Sequence, residues 1–74
     1  MGGELMRLVI ITPTEEGGYV AECPSLPGCV SQGETRDETV ENITEAIRGY
    51  IAALRHDGLP VPVERDSEVL KVAV

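Results

Sequence analysis

The chain has 74 residues, 42% of them apolar and 26% charged, with thirteen acids against six bases and a formal net charge of −7. This is globular composition in one small domain, which buries only about 60% of its unfolded surface, and no apolar run nears the roughly 20 residues needed to cross a bilayer. One Lys, five scattered Arg (Arg7, Arg36, Arg48, Arg55, Arg65), two Tyr and no Phe or Trp supply neither the clustered cations nor the stacking platforms of a nucleic-acid binder.

At the start, Glu4 precedes an apolar stretch too short for a secretory signal. Met6 stands where an acylation signal requires Ser or Thr. A soluble, cytoplasmic protein is the expectation. Its acidity has two readings, solubility or a basic partner.

Residues 5–12, LMRLVIIT, are apolar and β-branched and end at Pro13, which predicts a first strand. Residues 12–18 have turn chemistry, with Gly17 and Gly18 placed for positive φ. A second strand over 19–23, YVAEC, completes a hairpin. Pro24 and Pro27 then stiffen the loop PSLPG, and 29–33, CVSQG, reads as a short third strand.

The helix signal is the clearest. Thr35 and Glu38 form a T-x-x-E capping box. Val40, Ile43, Ile47, Tyr50, Ile51 and Leu54 then recur on one helical stripe. Acids (Asp37, Glu38, Glu41, Glu45) fall in the first half, and Arg48, Arg55 and His56 in the second, which suits the macrodipole. Gly58 and Pro60 end the helix. Gly49, in its middle, costs about 1 kcal/mol against Ala, and close approach to the sheet would explain it. After an extended connector, the alternating residues 68–74, EVLKVAV, predict a fourth strand.

The expected fold is therefore α+β, βββαβ, a mostly antiparallel four-stranded sheet of order 3-2-1-4 with one helix on one face. One helix covers one face only. The run Leu8-Val9-Ile10-Ile11 has no polar alternation, so both faces of the first strand look buried. Either these are scattered surface aliphatics or something outside the monomer covers the second face. A homo-oligomer, most simply a dimer, is the expectation.

No catalytic set emerges. His56, the single histidine, is explained as a helix-end cation. Cys23 and Cys29, with five residues between them, lack the second cluster of a structural zinc site. They read as buried thiols, or as a pair able to oxidise if the backbone brings them close. Glu4, Glu22 and Glu68 are too few for two-metal chemistry, and no phosphate-binding glycine loop precedes the helix. No enzyme, metal or cofactor is expected.

From Gly17 to Pro62 the chain resembles the HicB-like antitoxin family. The matching residues are Gly17-Gly18-Tyr19, Ala21-Glu22-Cys23-Pro24, Leu26-Pro27-Gly28-Cys29, Ser31-Gln32-Gly33-Glu34-Thr35, Glu38, Asn42-Ile43, Ala46-Ile47 and Asp57-Gly58 with Pro60 and Pro62. The resemblance covers about residues 6–74. It implies a partial ribonuclease H-like fold without a working active site. It also implies a function: neutralising a small, basic, mRNA-cleaving HicA-type toxin. A C-terminal DNA-binding domain, carried by many members, is not expected here, nor is direct nucleic-acid or membrane binding. Residues 1–74 read as one antitoxin domain, with 1–5 an N-terminal extension. A solitary oligomeric regulatory protein of the same fold is the alternative.

The expected partner surface is the region of Tyr19, Glu22, Pro24, Leu26, Pro27, Gly28 and Cys29. Its prolines limit the entropy lost on docking, Leu26 and Tyr19 are available anchors, and Glu22 suits a cationic partner. On strand two, Val20 and Glu22 share one face and Tyr19, Ala21 and Cys23 the other. The competing reading has Leu26 folding back onto the helix, with the loop purely structural.

Overall fold

Strand β1 (Ile10–Pro13) is an edge strand, where the missing amide of Pro13 does no harm at its last position. It pairs antiparallel with β2 (Tyr19–Glu22), which pairs antiparallel with β3 (Val30–Gly33), giving the sheet order β1-β2-β3. Helix α1 (Arg36–His56) follows and packs on one face. The computed structural model describes residues 6–74, so the expected extension at 1–5 lies outside the described residues.

Register assigns the faces. Ile11, Ala21 and Ser31 are cross-strand neighbours, as are Ile10, Glu22 and Val30, and period-two alternation puts these two sets on opposite sides. The first set faces α1. Ala21 is buried there with Cys23, Leu26, Cys29 and Ile43, and Val9, Ile11, Ala46, Ile47, Tyr50 and Ile51 pack around them. Of the predicted helical stripe, Ile43, Ile47, Tyr50 and Ile51 pack here, while Val40 and Leu54 are half-buried outside the cluster and Ala46 joins it. Thr39 joins it unpredicted: it is fully buried and donates its hydroxyl to the Thr35 carbonyl at 2.7 Å.

Both ends of α1 form from local chemistry. The Thr35 hydroxyl accepts from the Glu38 amide at 3.0 Å, a cap worth about 1 kcal/mol. The Glu38 carboxylate receives the amide of Glu34 at 2.7 Å rather than that of the cap residue, so the box is shifted by one position. At the far end Gly58 has φ +70, and Leu59 donates to the Leu54 carbonyl at 2.8 Å and Gly58 to that of Arg55 at 3.1 Å. This is a Schellman stop.

Two glycines differ from expectation. Gly17 has φ +99, but Gly18 does not enter the left-handed region. Gly18 is needed for space, since a Cβ there would lie 2.8 Å from the Gly33 carbonyl oxygen. Gly49 approaches nothing: a Cβ would find no atom within 4 Å. The close-approach explanation is therefore corrected. Gly49→Ala is expected to stabilise the fold by about 0.5–1 kcal/mol, read as a rise of roughly 4 °C in Tm.

The fourth strand is also corrected. Residues 59–74 form no strand, and among the described residues the sheet has three. Arg7 donates to the Pro62 carbonyl at 2.8 Å and to the Ser25 hydroxyl at 3.0 Å, and that hydroxyl donates to a Glu64 carboxylate oxygen at 2.7 Å. This latch holds the connector beside the entrance to β1. Beyond it the chain runs on without a strand partner, so the order 3-2-1 stands without the fourth member.

Candidate partner-binding surface

The loop between β2 and β3 is two successive turns sharing Leu26. Leu26 donates to the Cys23 carbonyl and Cys29 to the Leu26 carbonyl, both at 3.0 Å, and Cys23 donates to the Cys29 carbonyl at 3.0 Å to close the base. Pro24 and Pro27 occupy second positions, where their fixed φ belongs. Gly28, with φ +80, is the third residue of a type II turn. This geometry turns Leu26 inward, where it is fully buried. Tyr50 clamps the loop by donating its hydroxyl to the Pro27 carbonyl at 2.8 Å.

The seven expected contact residues therefore separate. Leu26 and Cys29 are core residues, and their side chains cannot reach a partner as folded; the fold-back reading of Leu26 describes its position. Pro24, Pro27 and Gly28 are exposed on the loop, and Glu22 is exposed at the end of β2. Tyr19 is half-buried on the helix side, at the other end of β2. There it lines a groove of about 400–500 Å³ with Gly18, Gly33, Glu34 and Glu38.

What brings Glu22 into a coherent surface is the uncovered sheet face. Ile10, Thr12, Val20, Glu22, Val30 and Gln32 share it by register. Val20 and Val30 are 37% and 60% exposed. Glu22, the single charged member, sits between Ile10 and Val30 in the cross-strand row. Sequence alternation placed Val20 beside Glu22. Val30 and Gln32 were missed, because their alignment depends on how many residues the two turns consume.

The wider surface is acidic. Glu15, Glu16, Glu34, Asp37, Glu38, Glu41 and Glu45 are all exposed. The contacts Arg36–Asp37 (3.7 Å) and Arg48–Glu45 (3.9 Å) lie in solvent and neutralise little. Asp37, Glu41 and Glu45 follow one another at i, i+4, an arrangement mildly unfavourable to an isolated helix.

Cys23 and Cys29 are free and buried. Burial pushes the Cys29 thiol up from its ordinary value, and neighbouring Cys23 pushes it further. A thiol held protonated is a poor nucleophile and metal ligand. Among the described residues no group of three His, Cys, Asp or Glu side chains could hold a metal ion. His56 lies at the exposed helix end, 3.4 Å from Asp57. No helix among the described residues is long and apolar enough to cross a membrane.

Comparison with known proteins assigns the family. The family described as HicB_like antitoxin of bacterial toxin-antitoxin system matches residues 8–73. The chain belongs to this HicB-like antitoxin family. It is 46% identical over 61 residues to a UPF0150 protein of Thermoplasma acidophilum, covering 82% of this chain and 88% of that protein. It is 36% identical over 62 residues to Antitoxin HicB 1 of Photorhabdus laumondii, covering 78% of this chain but 40% of that longer one. In structure it is similar to a chain of a solved HicA3 and HicB3 toxin-antitoxin complex. There the TM-score is 0.69 and the identity 29%, over 82% of this chain and 72% of that one. The likeness spans the three antiparallel strands and one helix that make the α+β fold.

Proposed function

We propose that this HicB-like antitoxin binds and neutralises a small, basic, mRNA-cleaving toxin of the HicA type, and that it does so without enzymatic activity of its own. The observation that carries the reading is the likeness, at 29% identity, to a chain of a HicA3 and HicB3 toxin-antitoxin complex. The surface chemistry agrees with it. A net charge of −7 attracts a basic protein and speeds encounter. The uncovered face offers aliphatics around one carboxylate, Glu22, the composition that pairs an apolar contact with a cationic side chain.

We assign the docking surface to Glu22, Val20 and Val30, with the exposed loop residues Pro24, Pro27 and Gly28 at its border. Tyr19 lies on the other face and belongs to a contact only if the toxin reaches around the hairpin. The turns hold the loop rigid, so little entropy is lost on docking.

The test is capture of a HicA-type toxin, sought as a short basic reading frame beside the gene, together with rescue of growth when both are expressed. Wild-type protein is expected to bind with an affinity that falls as salt rises. Glu22→Lys is expected to weaken binding about tenfold or more by placing like charges together. Failure of wild-type protein to bind or rescue would favour the solitary, oligomeric reading. Unchanged binding by both Glu22→Lys and Val30→Asp, with folds intact, would move the interface elsewhere.

A further inference from the structure

Beyond Ser67, which still lines a pocket with Leu8, Pro24 and Ser25, residues 68–74 are all exposed. Val69, Leu70 and Val72 are 67%, 71% and 73% exposed. The radius of gyration is 13.8 Å, against about 11 Å for a compact chain of this length. Yet residues 68–74 have strand composition, β-branched and alternating. Such a segment is stable only against a sheet edge.

Two edges are available. That of β3 offers Ser31, Gln32 and Gly33, and the Asn42 side chain already donates to the Gln32 carbonyl at 2.8 Å. The edge of β1 is open on the side away from β2 and carries Ile10 and Ile11, both half-buried. It also lies near the root of the C-terminal segment, because Arg7, three residues before β1, holds the Pro62 carbonyl.

We propose that residues 66–74 form an exchange arm. The arm pairs along the free β1 edge of a second copy of this chain, whose own arm pairs reciprocally, so that each sheet gains its fourth strand from the partner. Three observations select a second copy as the occupant. The arm leaves its own domain exposed from a fixed root, which suits exchange of an identical element between protomers. Its strand-like residues 68–74 are neutral, with Lys71 against Glu68. The other residues carry the whole −7, so the arm is the part of one acidic chain that another repels least. Finally, a core of five buried apolar residues among the described residues is small, and exchange covers the arm's aliphatics and satisfies the unpaired amides and carbonyls of β1 at once. This assembly does not depend on toxin binding and is tested without a toxin.

The experiment is light scattering on the full chain at micromolar concentration, with amide hydrogen exchange on the same samples. Wild-type protein is expected at about 16 kDa, twice the 7.9 kDa of one chain, with protected amides in β1 and in residues 68–74. In Val72→Pro the new residue cannot donate to a ladder. This variant, and a chain ending at residue 65, are expected to fall to monomer mass and lose β1-edge protection. Protection in β2, β3 and α1 should remain. A wild-type monomer overturns the proposal, whether its β1 edge is protected by its own arm or left open. So does a dimer that persists in both variants.

Discussion

Leu26→Ala is expected to cost about 2–5 kcal/mol, the range for a large aliphatic removed from a packed core. Total stability for a domain of this length is only about 4–11 kcal/mol. Leu26 is fully buried and is among the largest of the buried side chains. Its replacement leaves a void that the loop cannot collapse to fill, because Pro24, Pro27 and the turn hydrogen bonds hold the backbone. Thermal denaturation should show a Tm fall of 10 °C or more, while Leu26→Met, which keeps the volume, should cost less than about 1.5 kcal/mol. Leu26→Asp should not fold. Loss of toxin binding in that variant would report the missing core, so Glu22 and Val30 are the positions at which binding itself can be probed. Wild-type stability in Leu26→Ala would contradict the packing described here.

Features set by neighbours in sequence were legible. The Thr35 cap, the Gly58 stop, the hairpin and the α1 stripe each follow from spacings of a few residues; the capping box shifts by one position, while β1 spans 10–13 where 5–12 was expected. Gly49 was misread as a close approach to the sheet, although it sits two residues from Ile47, about 200° around the helix, and so faces away from the packed stripe. What sequence could not supply is anything closed over distance. The Arg7–Pro62 hydrogen bond joins residues 55 apart, and no local pattern announces it. Alternation in residues 68–74 predicts a strand without saying which chain would provide the edge, and the chain by itself forms no strand there. A fourth strand drawn from the same chain and one drawn from a second copy read identically in sequence.

The uncovered sheet face was half legible for the same reason. Period-two alternation put Glu22 on the face away from Ala21 and Cys23, and the burial pattern agrees. Leu26 looked available because it lies at a loop tip. Yet P-x-x-P-G imposes two turns in succession, and the residue they share points inward. The loop is thus part of the core, and it fixes the register that sets Val30 beside Glu22. The residues that build the loop also position the uncovered face.

Gly33→Ala should destabilise the fold while Gly49→Ala stabilises it, although both add one methyl group. At Gly33 the added Cβ would lie 2.7 Å from the Thr39 hydroxyl oxygen, 2.9 Å from its amide nitrogen and 3.1 Å from its Cα. None of these can yield easily. Thr39 is fully buried, its hydroxyl is bonded to the Thr35 carbonyl at 2.7 Å, and its amide donates to the same carbonyl at 3.0 Å. Relief therefore requires the first turn of α1 to move off the end of β3, disturbing the Thr35 cap with it. Overpacking of this kind costs about 1–3 kcal/mol, and loss of the cap adds about 1 kcal/mol. A Tm fall of roughly 10–20 °C is expected, against the small rise for Gly49→Ala. Amide exchange should accelerate first at Glu38 and Thr39, with the Schellman end at Gly58 and Leu59 unaffected at low temperature. Equal and small Tm shifts for the two variants would show that the β3–α1 junction has room for a methyl group, and the tight contact between Gly33 and Thr39 would be wrong.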